Sequence, residues 1–254
     1  MQEAERIVDI AEKQGITLRL FGGVAIRFHC PSATHRSLQR KYADIDFIGL
    51  KKQSIRIRKL FPDIGYASRE MFNMLQGDKR LVFNDLEHGR RIDIFLDVFE
   101  MCHRLDFRNR LNVERPTIPL ADLLATKLQV VEMTDREFRD IIALVHDHDL
   151  SETDTSKAIN AAYIAKLCRN DWGIYKTFTV NISKVLSRVS EYNLEPEARD
   201  NVTKRLQALQ GRLEDIPKST RWVIRSKIGE RKRWYELPEE DREIVDSRMP
   251  RAAN

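Results

Sequence analysis

Residues 90–99, RRIDIFLDVF, place an apolar side chain at every second position from Ile92 to Val98. Period-two alternation suits a strand with one face on a core and disfavours a helix, because successive strand side chains point to opposite faces. Ile92, Ile94, Leu96 and Val98 take the apolar face, which leaves Arg91, Asp93, Phe95 and Asp97 on the other. Residues 43–50, ADIDFIGL, repeat the device: Asp44 and Asp46 share one face, and Ile45 and Phe47 the opposite one. Two carboxylates on one face of a strand repel each other unless something positive lies between them. A salt bridge to Arg36, Arg40 or Lys41 would serve, and so would a metal ion.

The rest of the chain divides by the period of its apolar residues. Residues 3–14 read as an amphipathic helix ending at Gly15, ITLRLF as a strand, and VAIRFH as a helix start after the pair Gly22-Gly23. Residues 30–41 read as a basic loop, SIRIRKLF as a helix, and Pro62 to Gly65 as a turn. RLVFND and residues 90–99 read as a hairpin joined by LEHG. Pro116 and Pro119 introduce LADLLATKLQVVE and then DREFRDIIALVHDH, both helical in period. After Leu150 no strand pattern is evident. The polar segment SETDTSK offers a boundary, with Ser151 or Thr153 as helix caps, and four or so helices follow. The expected class is α+β: a small mixed sheet flanked by helices in residues 1–150, then an all-helical domain in residues 151–254.

A chain of 254 residues with 42% hydrophobic and 33% charged residues can bury real cores under a heavily charged surface. No apolar run approaches the roughly 18 residues of a membrane span, so no membrane contact is expected. The start, MQEAERIVDIAEKQG, mixes charges along an amphipathic helix and does not read as a signal peptide. Three scattered cysteines, Cys30, Cys102 and Cys168, suit a reducing cytoplasm better than a disulfide framework. The net charge of +5 suggests an anionic partner. Residues 218–233 hold seven Lys or Arg against one Glu, with Trp222 inside and Trp234 next to them. Such a segment can track a phosphate backbone and stack bases. It can equally be a solvated helix face with Trp222 and Ile224 in the core.

Asp44 and Asp46 acquire a third partner if their strand neighbours the one carrying Asp93. Three carboxylates without soft ligands suit a hard cation such as Mg²⁺, which keeps sites for water and phosphate. Asp97 shares the expected face of Asp93 and is the alternative third carboxylate. Gly22-Gly23, between a strand and a helix, lets a ligand approach the backbone where helix N–H groups favour anions. Zinc is not expected at His29-Cys30 with His35, at Cys102-His103 or at His146-x-His148, none of which has paired ligand spacing. Neither a Gly-x-Ser-x-Gly elbow nor a P-loop occurs.

The set Gly22-Gly23, Asp44-x-Asp46 and Asp93 resembles the DNA polymerase β superfamily of nucleotidyltransferases, and within it most nearly the abortive-infection (AbiEii-like) type IV toxin group. Arg40 stands four residues before Asp44, as in that group. Lys127 and the cluster Arg136, Arg139, Asp140 match its later Lys and Arg-x-x-Asp-like motif. The resemblance spans roughly residues 15–145 and implies a polymerase-β-like domain that moves a nucleoside monophosphate from an NTP to an acceptor hydroxyl.

It implies two Mg²⁺ ions on Asp44, Asp46 and Asp93, with Asp93 on the ion nearer the nucleophile. Gly22 and Gly23 would cradle the phosphates, Arg40 and Lys127 would neutralise them, and Asp140 would help activate the acceptor. An RNA or tRNA end is the implied acceptor and an antitoxin the implied partner. A small molecule of the antibiotic type, a protein side chain, or a non-catalytic nucleic-acid-binding role are the alternatives. Two differences stand out: 20 residues separate Gly23 from Asp44, more than in compact members, and Tyr42 replaces the usual Ser or Thr. Without the resemblance, Lys127 reads as a surface lysine and Asp140 as an i, i+4 partner of Arg136.

Overall fold

A computed structural model describes residues 1–236; residues 237–254 of the expected C-terminal domain lie outside the described part. The first half alternates helices and strands: α1 (Gln2–Lys13), β1 (Leu18–Phe21), α2 (Gly22–His29), β2 (Asp44–Gly49), α3 (Ser54–Asp63), β3 (Ala67–Ser68), α4 (Glu70–Gln76), β4 (Arg80–Asp85) and β5 (Arg90–Leu96). These strands form one sheet in the order β1-β2-β5-β4-β3, with β2 and β5 parallel and every other pair antiparallel. Mixed pairing puts β2 and β5 side by side at the centre. The α+β expectation with a small mixed sheet therefore holds.

The alternation seen in the sequence decides the two faces. Ile45, Phe47, Ile92, Ile94 and Leu96 are all buried on one face, and Ile7, Ile57, Leu60 and Phe61 of α1 and α3 belong to the same core. Burying a large apolar side chain contributes about 1.5–3 kcal/mol, and that face carries many. The run 90–99 is not one strand, however. β5 stops at Leu96, Asp97 adopts a left-handed φ of 63°, and β6 (Val98–Glu100) leaves the sheet to pair with β7 (Arg104–Asp106). Asp is among the few residues that tolerate that conformation. The Asp97 carboxylate accepts a hydrogen bond from Lys51 N–H (2.9 Å), so Asp97 does not share the face of Asp93.

Two helices follow, α5 (Leu120–Leu128) and α6 (Asp135–Asp147), the latter opened by a Thr134–Glu137 capping box. Strands then return where none is expected: β8 (Asp149–Ser151) pairs in parallel with β9 (Ala158–Asn160). Three residues are too few to display a period. SETDTSK is the turn between them, and the helix cap is Asn160, whose Oδ1 accepts from Tyr163 N–H, rather than Ser151 or Thr153. The remaining helices are α7 (Ala161–Asn170), α8 (Trp172–Arg188), α9 (Pro196–Asp215) and α10 (Thr220–Ile228). One apolar cluster runs through both halves, from Ala4 to Leu213. No described helix is long and apolar enough to cross a membrane.

Candidate functional site

Parallel pairing sets Asp46 directly opposite Asp93 and Asp44 opposite Arg91. Residues paired across neighbouring strands point to the same face, so Asp44, Asp46 and Asp93 do share one. Phe21 pairs with Asp46 from the other side and meets Phe95 and Phe99 edge-on, with ring centroids 5.4 and 5.1 Å away. This aromatic set lies beside the carboxylates. Burial and the facing Asp93 push the Asp46 carboxyl up to about 7. Burial also raises Asp93, opposed by Arg80 and Arg91, whose guanidiniums lie 2.9 and 3.1 Å from its oxygens.

The salt bridge considered for Asp44 and Asp46 does not form: among the described residues no cation lies within salt-bridge distance of either. Nor is a metal cage preassembled, since no group of three or more His, Cys, Asp or Glu among the described residues is gathered closely enough to hold an ion. Asp44 is exposed at the start of β2, and Asp93 is engaged by its two arginines. The donor chemistry nonetheless fits a hard cation. Three carboxylate side chains share the face, and burial with the facing Asp93 disfavours the charge on Asp46.

The glycine pair serves these side chains directly. Gly22 opens α2 with a left-handed φ of 69°, and a Cβ there would overlap Asp46 Oδ2. A Cβ on Gly23 would overlap a terminal nitrogen of Arg40 and crowd the Tyr42 ring. The turn is bare so that Asp46 and Arg40 can lie against it, beside the N-terminal N–H groups of α2.

Arg40, Lys127 and Asp140 come together, in an arrangement neither expectation foresees. α5 is buried along its length except at Lys127, and a lysine on a buried helix needs a counter-charge. Asp140, on the packed side of α6 and only 2% exposed, supplies it at 2.9 Å. Arg40 joins the same carboxylate through Nε and Nη2, both at 2.8 Å, and its guanidinium lies 4.4 Å from the Tyr42 ring centroid. The i, i+4 pair on α6 is Arg139 with Asp135, so Asp140 is not the partner of Arg136 and Lys127 is not a plain surface lysine.

The basic loop 30–41 is laid along α6. Ser32 N–H donates to Asp147 (2.9 Å), Gln39 O accepts from Arg139 (2.6 Å), and Arg40 reaches Asp140. His29 faces away from a ligand role, with Nε2 2.7 Å from Thr117 Oγ1 and burial pushing it down to about 4.

In the basic segment the aromatics point inward. Trp222 meets Tyr175 and Lys218, and Trp234 Nε1 donates to Thr177 beside Trp172. Neither indole is offered for base stacking. Ile224, expected in the core if the segment were a solvated helix face, is 62% exposed. Arg225 lies over Trp172, while Arg221, Lys227, Arg231, Lys232 and Arg233 remain exposed. Sequence reasoning missed Arg80, which sits over Phe95 (4.9 Å) and holds Asp93; only its place in a strand next to β5 could have signalled it.

No family model and no curated protein matches the chain. Among solved structures it is similar to one titled "Crystal structure of lincosamide antibiotic adenylyltransferase LnuA, lincomycin-bound". The identity is 19%, the TM-score 0.41, and the match covers 56% of this chain and 94% of that one.

Proposed function

We propose that the chain is a nucleotidyltransferase, transferring a nucleoside monophosphate from a Mg²⁺-bound NTP to an acceptor hydroxyl with release of pyrophosphate. The observation that carries the reading is the register of β2 on β5, which sets Asp46 against Asp93 on one face beside a bare Gly22-Gly23 turn. Asp44, Asp46 and Asp93 would hold the metal, and Arg80 and Arg91 would share Asp93 with it. When bound, Mg²⁺ would supply neutralisation of the charge that builds on the phosphates. Gly22, Gly23 and the start of α2 would seat the phosphates, with Arg40 and Lys127 on their flank. Positioning and electrostatics then supply most of the rate.

The acceptor in this reading is an RNA end, engaged through phosphate contacts from the five exposed cations of residues 221–233, without aromatic stacking. By resemblance the setting is a toxin–antitoxin one, and three buried free cysteines suit a reducing cytoplasm. Incubation with each labelled NTP and total RNA, with and without Mg²⁺, tests it. Labelling that needs Mg²⁺ and disappears in Asp44→Ala/Asp46→Ala, with the circular dichroism spectrum retained, supports transfer; undiminished labelling by the double variant rejects it. Steep loss of labelling with salt marks RNA, while insensitivity to salt marks a small neutral acceptor.

A further inference from the structure

We propose that Asp140 is a positioning residue, whose carboxylate holds Arg40 and Lys127 as a two-cation clamp on the flank of the Gly22-Gly23 turn. This deepens the nucleotidyltransferase reading and departs from the role in acceptor activation that the resemblance implies for Asp140. Three observations carry it.

Both oxygens of Asp140 are in use: Oδ1 accepts from Arg40 Nε, and Oδ2 from Arg40 Nη2 and Lys127 Nζ, all within 2.9 Å. A carboxylate that accepts three charge-assisted hydrogen bonds is committed to holding its two partners in place. At 2% exposure it is also shut away from an acceptor that arrives from solvent.

The cluster carries a surplus charge. One carboxylate directly faces two cations whose side chains are each only 14% exposed, and Glu137 and Asp46 act on them only from beyond ion-pair distance. Unbalanced buried charge is costly and is retained where a ligand balances it. An anion is the ligand class that answers.

The surplus is aimed. The guanidinium lies where Gly23 would otherwise carry a Cβ, and Tyr42 closes its other side by stacking. Arg40 therefore has one seat, fixed by Asp140 in a bidentate fork that a lysine could not reproduce. A Cβ on Gly22 would meet Asp46 and one on the adjacent Gly23 would meet Arg40, so the clamp and the carboxylates border the same turn. The triphosphate of the nucleotide is the polyanion that would lie between them.

The test separates binding from chemistry. Calorimetry with the Mg²⁺ complexes of α,β-methylene NTP analogues measures affinity without turnover. Single-turnover labelling at saturating NTP measures the step itself. Failure of the wild-type protein to bind any analogue defeats the nucleotidyltransferase reading as a whole. If wild type binds, Asp140→Asn and Asp140→Glu are expected to weaken the analogue about tenfold or more. Their loss falls mainly on affinity and leaves the shape of the pH–rate profile unchanged. Asp140→Glu keeps the charge and serves if Asp140→Asn does not fold. Wild-type affinity in either folded variant, with the saturating rate and the acidic limb of its pH profile lost, overturns the proposal in favour of a proton-transfer role.

Discussion

Gly22 and Gly23 stand side by side but answer to different constraints. Gly22 has a left-handed φ and its missing Cβ gives room to a backbone-anchored carboxylate, Asp46. Gly22→Ala is expected to cost about 1–2 kcal/mol from the conformation alone, read by chemical denaturation, and to displace Asp46. Gly23 is helical and its absent Cβ gives room to the Arg40 guanidinium and the Tyr42 ring. Gly23→Ala would push Arg40 off its fork on Asp140, and should both lower the melting temperature and weaken nucleotide binding.

Asp46 itself sets a pH dependence. Its carboxyl is raised from 3.8 to about 7 by burial and Asp93, so the folded chain keeps a proton that the unfolded chain loses. Stability of the metal-free protein therefore falls as pH rises from about 4 to 7 and levels off above. Asp46→Asn is expected to raise the melting temperature at pH 8 and hardly change it at pH 4. A Mg²⁺-induced rise in melting temperature should grow over the same interval; a rise independent of pH would remove Asp46 from the metal site.

At the scale of elements, what the sequence displays is periodicity, and what it hides is brevity. β2 and β5 are long enough for Ile45, Phe47, Ile92 and Ile94 to declare a face, and the Asp residues followed by subtraction. The interruption at Asp97 is silent, because the polar–apolar pattern runs straight through it while the backbone turns away. β8, β9 and α4 are too short to show a period. The loop 30–41 looked unstructured because its order comes from α6, about a hundred residues downstream, through Asp147, Arg139 and Asp140. The clamp on Asp140 was invisible for the same reason: Lys127 and Asp140 were each readable as individuals, but nothing local joins them to Arg40.

α4 also has a task that composition does not reveal. The buried Asn73 side chain donates to Val82 O (2.9 Å) and accepts from Val82 N–H (2.7 Å), completing β4 where β3 has ended. Asn73→Ala leaves Val82 N–H without its partner, while Val82 O keeps Arg69 N–H; the loss is expected to cost about 1–3 kcal/mol, measured by urea unfolding, without changing the circular dichroism spectrum.

Over the whole molecule, one half-buried arginine ties together segments far apart in sequence. Arg110 reaches Asp122 of α5 (2.7 Å) and Asp154 of the β8–β9 turn (2.7 Å), and lies 3.9 Å from the Tyr163 ring of α7. Asp122 is 1% exposed, so Arg110→Ala strands a buried carboxylate and should cost about 3–5 kcal/mol. Asp122→Asn in the same chain is expected to recover part of that loss, which a thermal melt of the two variants would register. The continuous apolar cluster from Ala4 to Leu213 makes a companion experiment informative. A chain ending at Leu150 would expose the sides of α5 and α6 that pack on α7 to α9, and its melting curve reports whether residues 1–150 fold alone.

The central sheet has almost no main chain left to share. Along β1, Leu20 exchanges hydrogen bonds with residues 116 and 118, and along β4 the Asn73 amide stands in for a neighbouring strand. Among the described residues, the two-residue β3 ends the sheet on that side. A protein partner that docks by adding a strand therefore finds little purchase on this sheet. A macromolecule that meets this sheet has side chains to read and little bare backbone.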